Sequence, residues 1–153
     1  MKRNKEAVRL LFEEVFNNGR VELLQDLVSD DYVGARGEKG AAAFQAQTAG
    51  LIAAFPDIQY QLKELIGEDD IVAVRWTWNG THNAPFNAIP ATGISVASEG
   101  MGIYGCRDGK IVSGNIQTDR LGFLQQLGIL PVNPVVAAAA GSGSPLTEAS
   151  AGK

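Results

Sequence analysis

The tightest constraint on the fold is the stretch from Asp108-Gly109 to Asp119. Asp-Gly is a two-residue turn that tolerates the positive φ values a tight hairpin needs. The residues after it predict a strand. On regular alternation Ile111, Ser113, Asn115, Gln117 and Asp119 share one face, and Val112, Gly114, Ile116 and Thr118 share the other. The first face is a polar row that ends in a carboxylate, where a short apolar helix over 121–127 begins. Such a row is costly to bury in a packed core and well suited to lining a cavity.

Upstream, Val8, Leu11, Phe12, Val15 and Phe16 recur at three-and-four spacing and predict a helix over 4–16, closed by Asn17-Asn18-Gly19. A second helix is expected over 21–28, a short extended piece at Tyr32-Val33, and an alanine-rich helix over 41–55 stopped by Pro56. Ile58, Tyr60 and Leu62 alternate with polar residues as a half-buried strand. A long strand over 71–81 carries Trp76 and Trp78 on one face. Another over 93–107 is expected to bend or bulge at Gly100 and Gly102. Consecutive strands with short turns favour antiparallel pairing, and helices gathered at the start favour α+β. The expectation is a curved antiparallel sheet of about four long strands, covered by three N-terminal helices to make a cone with a pocket.

The chain has 153 residues, room for one domain with a real core. Its net charge of −4 argues against nucleic-acid binding, which needs a basic patch. No apolar run is long enough to span a bilayer, and the start lacks the continuous apolar core of a signal peptide. One cysteine, Cys106, makes no internal disulfide, and one histidine rules out a His/Cys zinc cage in a single chain. No metal is expected, and a cytoplasmic location is the default. Residues 1–131 are read as the domain. Residues 132–153, rich in Ala, Gly and Ser, are read as a flexible tail.

Several pieces stand in one order: Phe55-Pro56-Asp57, Val72-Ala73-Val74-Arg75-Trp76, Gly80-Thr81-His82, Phe86, Ile89-Pro90-Ala91-Thr92-Gly93, Asp108-Gly109-Lys110-Ile111, and Asp119 with Gln126-Leu127-Gly128. This set resembles the SnoaL-like polyketide cyclases, or ester cyclases, of the NTF2-like superfamily, over roughly residues 5–131. The resemblance implies a cone-shaped α+β barrel, a homodimer through the open sheet, and a cofactor-free intramolecular aldol ring closure on a polyketide ester. It implies Asp119 as a buried acid/base and brings His82 near the pocket. The sequence departs from the family pattern in three places. Gly34 and Ala35 stand where relatives carry a His. Gly105, followed by Cys106, stands where they carry an Arg followed by an aromatic. Asn115 stands where they carry a Trp. Three small residues in place of large ones imply a roomier pocket.

An aldol closure removes a proton from carbon beside a carbonyl and stabilises an oxyanion. A carboxylate with an ordinary pKa near 4 is a poor base for this, and burial in an apolar cavity strengthens it. Asp119 and His82 are the catalytic candidates. Tyr32, Asn115, Gln117, Trp76 and Phe123 are the substrate-binding ones, the polar members supplying hydrogen bonds to an enolate or alkoxide. Each has a plainer role: Asp119 as a helix cap, His82 as a turn residue, Tyr32, Trp76 and Trp78 as core packing, Asn115 and Gln117 as solvent- or dimer-facing, Cys106 as an inert thiol. Two other functions fit the same architecture. Epoxide opening needs a second acid beside Asp119, from Asp31, Glu64 or Glu99. The other is a non-catalytic binder of an apolar small molecule.

Overall fold

In the computed structural model, which describes residues 1–132, the sheet has five strands in the order β1-β5-β4-β3-β2. They are β1 (Val28–Gly34), β2 (Gln59–Glu68), β3 (Ile71–Thr81), β4 (Ser95–Arg107) and β5 (Lys110–Thr118). The helices are α1 (Lys2–Leu10), α2 (Leu24–Leu27), α3 (Gly40–Ala54) and α4 (Arg120–Gln126). The α+β class, the curved sheet and the helical cover are as expected. The tail reading of 132–153 falls almost wholly outside the described residues.

The first helix carries the core stripe. Val8, Leu11, Phe12 and Val15 are all buried, and each such side chain contributes about 1.5–3 kcal/mol. Its last turns widen to π-helical bonding, with Asn17 N–H donating to Phe12 O at 3.1 Å. That delivers the Asn17 side chain to β2, where Oδ1 accepts from Tyr60 N–H at 2.6 Å and Nδ2 donates to Tyr60 O at 2.9 Å. A helix end is thus pinned to the edge strand at the residue whose ring enters the interior.

Two local readings change. The second helix is a 3₁₀ turn, Val21–Leu23, followed by a single α turn, and Val28 already has extended dihedrals (φ −115°, ψ 132°). Val28 opens β1, so the short extended piece at Tyr32-Val33 becomes a full strand, parallel to β5 with Val28 opposite Ile111 and Gly34 opposite Gly114. Its partner lies some eighty residues downstream, beyond the reach of local periodicity. In β4, pairing with β3 runs unbroken from Ser95 to Gly105, so Gly100 and Gly102 are not bulges. Gly100 leaves space for a ring, since a Cβ there would sit 2.7 Å from Trp76 Cζ2.

The register break falls elsewhere. Gly105 pairs with Ser113 but Cys106 pairs with Ile111, so Val112 is an extra residue in β5. One extra residue flips every later side chain to the other face. Ile111 points into the core, Gly114 lies on the same inner face, and Ile116 and Thr118 face the cavity. Ser113, Asn115 and Gln117 lie on the outer, exposed face, with Asn115 opposite Ile103 and Gln117 opposite Met101. The polar row does not line the interior.

Candidate functional site

Two apolar clusters fill the cone. One gathers the α1 stripe with Val72, Val74, Trp76, Tyr104 and Ile111. The other, near α4, gathers Ala54, Phe55, Ile58, Val96 and Leu127. Between them lies a cavity of about 620 Å³, walled by Phe12, Phe44, Tyr60, Trp76, Trp78 and Tyr104 and, toward α4, by Phe55, Phe86 and Phe123. Its buried wall is held by edge contacts such as Phe12 with Tyr60 (5.3 Å between ring centres) and Tyr32 with Phe44 (5.2 Å). Its exposed border includes Arg36, Gln47, Asn87, Ile116, Asp119 and Arg120.

Asp119 follows the last residue of β5 and caps α4. Its Oδ1 accepts from Gly122 N–H at 2.9 Å, and a Cβ on Gly122 would collide with the carboxylate. The expected burial is not found: Asp119 is exposed at the cavity rim. The strand ends one residue before it, so its carboxylate turns toward the unpaired amides of the helix start, where water also reaches. One oxygen serves the cap, and Oδ2 has no protein hydrogen bond among the described residues.

Tyr32, Trp76 and Phe123 line the same cavity as Asp119. His82 does not. Its ring is fully buried and stacks on Phe55 at 5.4 Å. Nδ1 accepts from Thr92 N–H at 3.3 Å and lies 3.0 Å from Thr92 Oγ1, which leaves Nε2 buried without a partner. Phe55 stands on the cavity side of this ring, so His82 acts as a core histidine holding the loop that carries Phe86 and Ile89. Asn115 and Gln117 are on the outer face for the register reason given above. The same holds for Gly105, whose Cβ would meet Ser113 on that face. Gly105 and Asn115 lie on the outer face, so the small residues at those two positions do not enlarge the cavity, whereas Gly34 is buried on the inner face, where a Cβ would meet the Glu38 side chain.

The carboxylates weighed as a second acid are engaged or distant. Glu64 is paired with Arg75, and Asp31 with Arg107 at 3.1 Å. Glu99 meets Asp119 only along a shallow polar groove outside the cavity. Asp119 is the one acid lining the cavity among the described residues.

Sequence reasoning missed Tyr60 and Tyr104. Burial pushes both phenols above their ordinary value, as it does for Tyr32 with Glu38 adding to the effect. All three stay protonated donors at neutral pH. The signal was available for Tyr104, which alternates with Gly102 and Gly100 on the inner face of β4.

Residues 6–127 match the description of the SnoaL-like polyketide cyclases. The chain belongs to this family. A search among curated proteins found no match. A SnoaL-like protein from Jannaschia sp. CCS1, provisionally named a polyketide cyclase, superposes with a TM-score of 0.78 over 85% of this chain and 94% of its own, at 21% identity. That likeness speaks for the fold alone. AclR of Streptomyces galilaeus, provisionally named a hydroxylase, is 28% identical, with a TM-score of 0.74 over 91% of this chain and 94% of its own. IdmH of Streptomyces antibioticus, provisionally named a polyketide cyclase, is 27% identical, with a TM-score of 0.67 over 80% and 96%. The SnoaL-like assignment fits the curved sheet and its helical cover. Among the described residues no helix is long and apolar enough to cross a membrane.

Proposed function

We propose that the protein is a cofactor-independent, cyclase-like enzyme acting on a small, largely apolar, polyketide-like substrate. The observation that carries this is the meeting of one carboxylate with an aromatic cavity. Asp119 takes a proton from carbon beside a carbonyl. The resulting enolate attacks a second carbonyl carbon of the same chain, forming the ring bond, and Asp119 returns the proton to the new alkoxide. A substrate seated over the rim excludes water from the carboxylate, and a desolvated carboxylate is a stronger base. Trp76 and Phe123 hold the chain folded, which removes several kcal/mol of barrier through orientation.

Asp119→Asn is the test, because Asn caps a helix about as well as Asp. With linear poly-β-keto esters and mass analysis of products, we expect ring closure to fall by about 10²–10⁴-fold with stability retained. Unchanged turnover would refute the mechanism. Binding without turnover in the unaltered protein would favour the non-catalytic holder. Epoxide opening has less support, since Asp119 lacks a second acid at the cavity.

We also infer that a second copy covers the outer face of the sheet, where Ile66, Ile71, Met101 and Ile103 are all about half exposed or more, beside Asn115 and Gln117. An apolar patch on a sheet suits a two-fold contact with itself. Sedimentation of Ile103→Lys against the unaltered chain tests this, with a monomeric variant expected and an unchanged mass refuting it. The lone, buried Cys106 suits a reducing compartment such as the cytoplasm.

A further inference from the structure

The buried end of the cavity holds two phenols whose chemistry nothing above uses in full. Tyr104 on β4 and Tyr32 on β1 are nearly inaccessible, at 2% and 6%. The Tyr32 hydroxyl and the edge of the Tyr104 ring meet over Gly114 on β5. A Cβ at Gly114 would lie 3.2 Å from Tyr32 Oη and 3.3 Å from Tyr104 Cε1, so the missing side chain is what admits both rings. Neither hydroxyl hydrogen-bonds to a protein atom among the described residues. Neither is sealed off, since the one sealed side-chain polar atom without a partner is His82 Nε2. Both hydroxyls therefore open onto the cavity, which their residues line. A phenol left unpaired at the end of an aromatic chamber is costly unless something polar meets it.

We propose that Tyr32 and Tyr104 form an oxygen-binding subsite at the buried end of the cavity, which takes a carbonyl or hydroxyl oxygen of the ligand and seats it inner end first. The walls between are mostly aromatic, Phe12, Phe44 and Trp76 among them, with Tyr60 and Thr48 as further polar groups, so the ligand is a largely apolar ring system or chain with an oxygen function at its leading end. Burial holds both phenols neutral, so they donate at any physiological pH. Along β5 the subsite at Gly114 is four residues from Thr118, about 13 Å at strand spacing. A ligand that fills the subsite and also reaches Asp119 spans about that length, which selects extended or multi-ring molecules over short ones. This rests on the reading of the cavity as a small-molecule chamber, and not on the proton transfer at Asp119.

The matched pair 9-fluorenone and fluorene tests it, since the two tricyclic molecules differ at one carbon by a carbonyl oxygen. The chain's two tryptophans, Trp76 and Trp78, both line the cavity, so quenching of their emission reports entry. Tyr32→Phe and Tyr104→Phe are each expected to weaken fluorenone binding by about 2–12-fold, the worth of one neutral hydrogen bond. Fluorene binding should hold or tighten. Equal effects on the two probes, or none on either, would overturn the subsite while leaving the chamber intact. Absence of quenching by both probes in the unaltered protein would overturn the chamber and the subsite together. Near-ultraviolet circular dichroism checks that each variant keeps its packing, and either variant alone suffices for the comparison.

Discussion

Gly100→Ala puts a single methyl group where the fold has no room for one. The new Cβ would stand 2.7 Å from Trp76 Cζ2, 2.9 Å from Cε2 and 3.0 Å from Gln117 O. Ordinary contact begins at 3.4 Å, so the indole must retreat by about 0.7 Å. Its far side is occupied by Phe12, with ring centres 5.1 Å apart, and by Tyr60 at 6.2 Å. The neighbour on β5 is backbone and part of the β4–β5 ladder, so it yields less. Overpacking of this kind costs about 1–3 kcal/mol, or a lowering of the melting temperature by about 2–12 °C for a chain of this size. Gly102→Ala is the internal control. Its Cβ meets Ile116, Trp76 and Tyr104 at 3.3–3.4 Å, all side-chain atoms, and its cost should be less than half as large. Urea unfolding followed by tryptophan emission reads both stability and the environment of Trp76. Equal midpoints for Gly100→Ala and the unaltered protein would refute the claim that β4 is glycine at this point to admit the indole.

Gly50 lies in α3 with open space around its Cβ position, so Gly50→Ala should stabilise the protein by about 0.4–1 kcal/mol in the same urea titration. The Asp57 carboxylate accepts from Thr81 N–H and Thr81 Oγ1–H, both at 2.7 Å, which holds it below its ordinary value of 3.8. A depressed carboxylate stabilises the fold above its unfolded value, and loses that effect as pH falls through the folded one. Melting curves of Asp57→Asn should therefore lie below those of the unaltered protein at neutral pH, with the gap closing in the acid range below 3.8; a gap independent of pH would count against the ion's role. Burial, with Asp70 adding, pushes the Cys106 thiol up to about 11. Labelling by iodoacetamide at mildly alkaline pH should be slow in the folded protein and fast in urea.

The sequence carried the architecture because its signals are local and agree with one another. The stripe from Val8 to Val15, the alternation around Tyr60 and the Asp108-Gly109 turn each specify an element without reference to the rest. What escaped it is long-range. Pairing of β1 with β5 has no local trace, so Val28 reads as the end of a helix when it begins a strand. The extra residue Val112 is invisible to period-two counting, and it alone moves Asn115 and Gln117 to the opposite face. Family resemblance pointed to Asp119 as a buried group, but its carboxylate caps α4 at the exposed rim of the cavity, since helix capping and water at the rim are set by where β5 stops. Tyr104 was passed over because alternating glycines made β4 look like a bent strand. Those glycines are the space its aromatic neighbour fills.

The parallel pairing of β1 with β5 carries a consequence for synthesis. The segment Val28–Gly34 is made well before the strand that flanks it, Lys110–Thr118. Until then β1 has no strand partner and the aromatic interior has no lateral wall. A nascent chain halted after Arg107 holds most of the core residues and cannot close around them. Closure of this domain thus waits for β5, with a long interval in which chaperones would find greasy surface to hold.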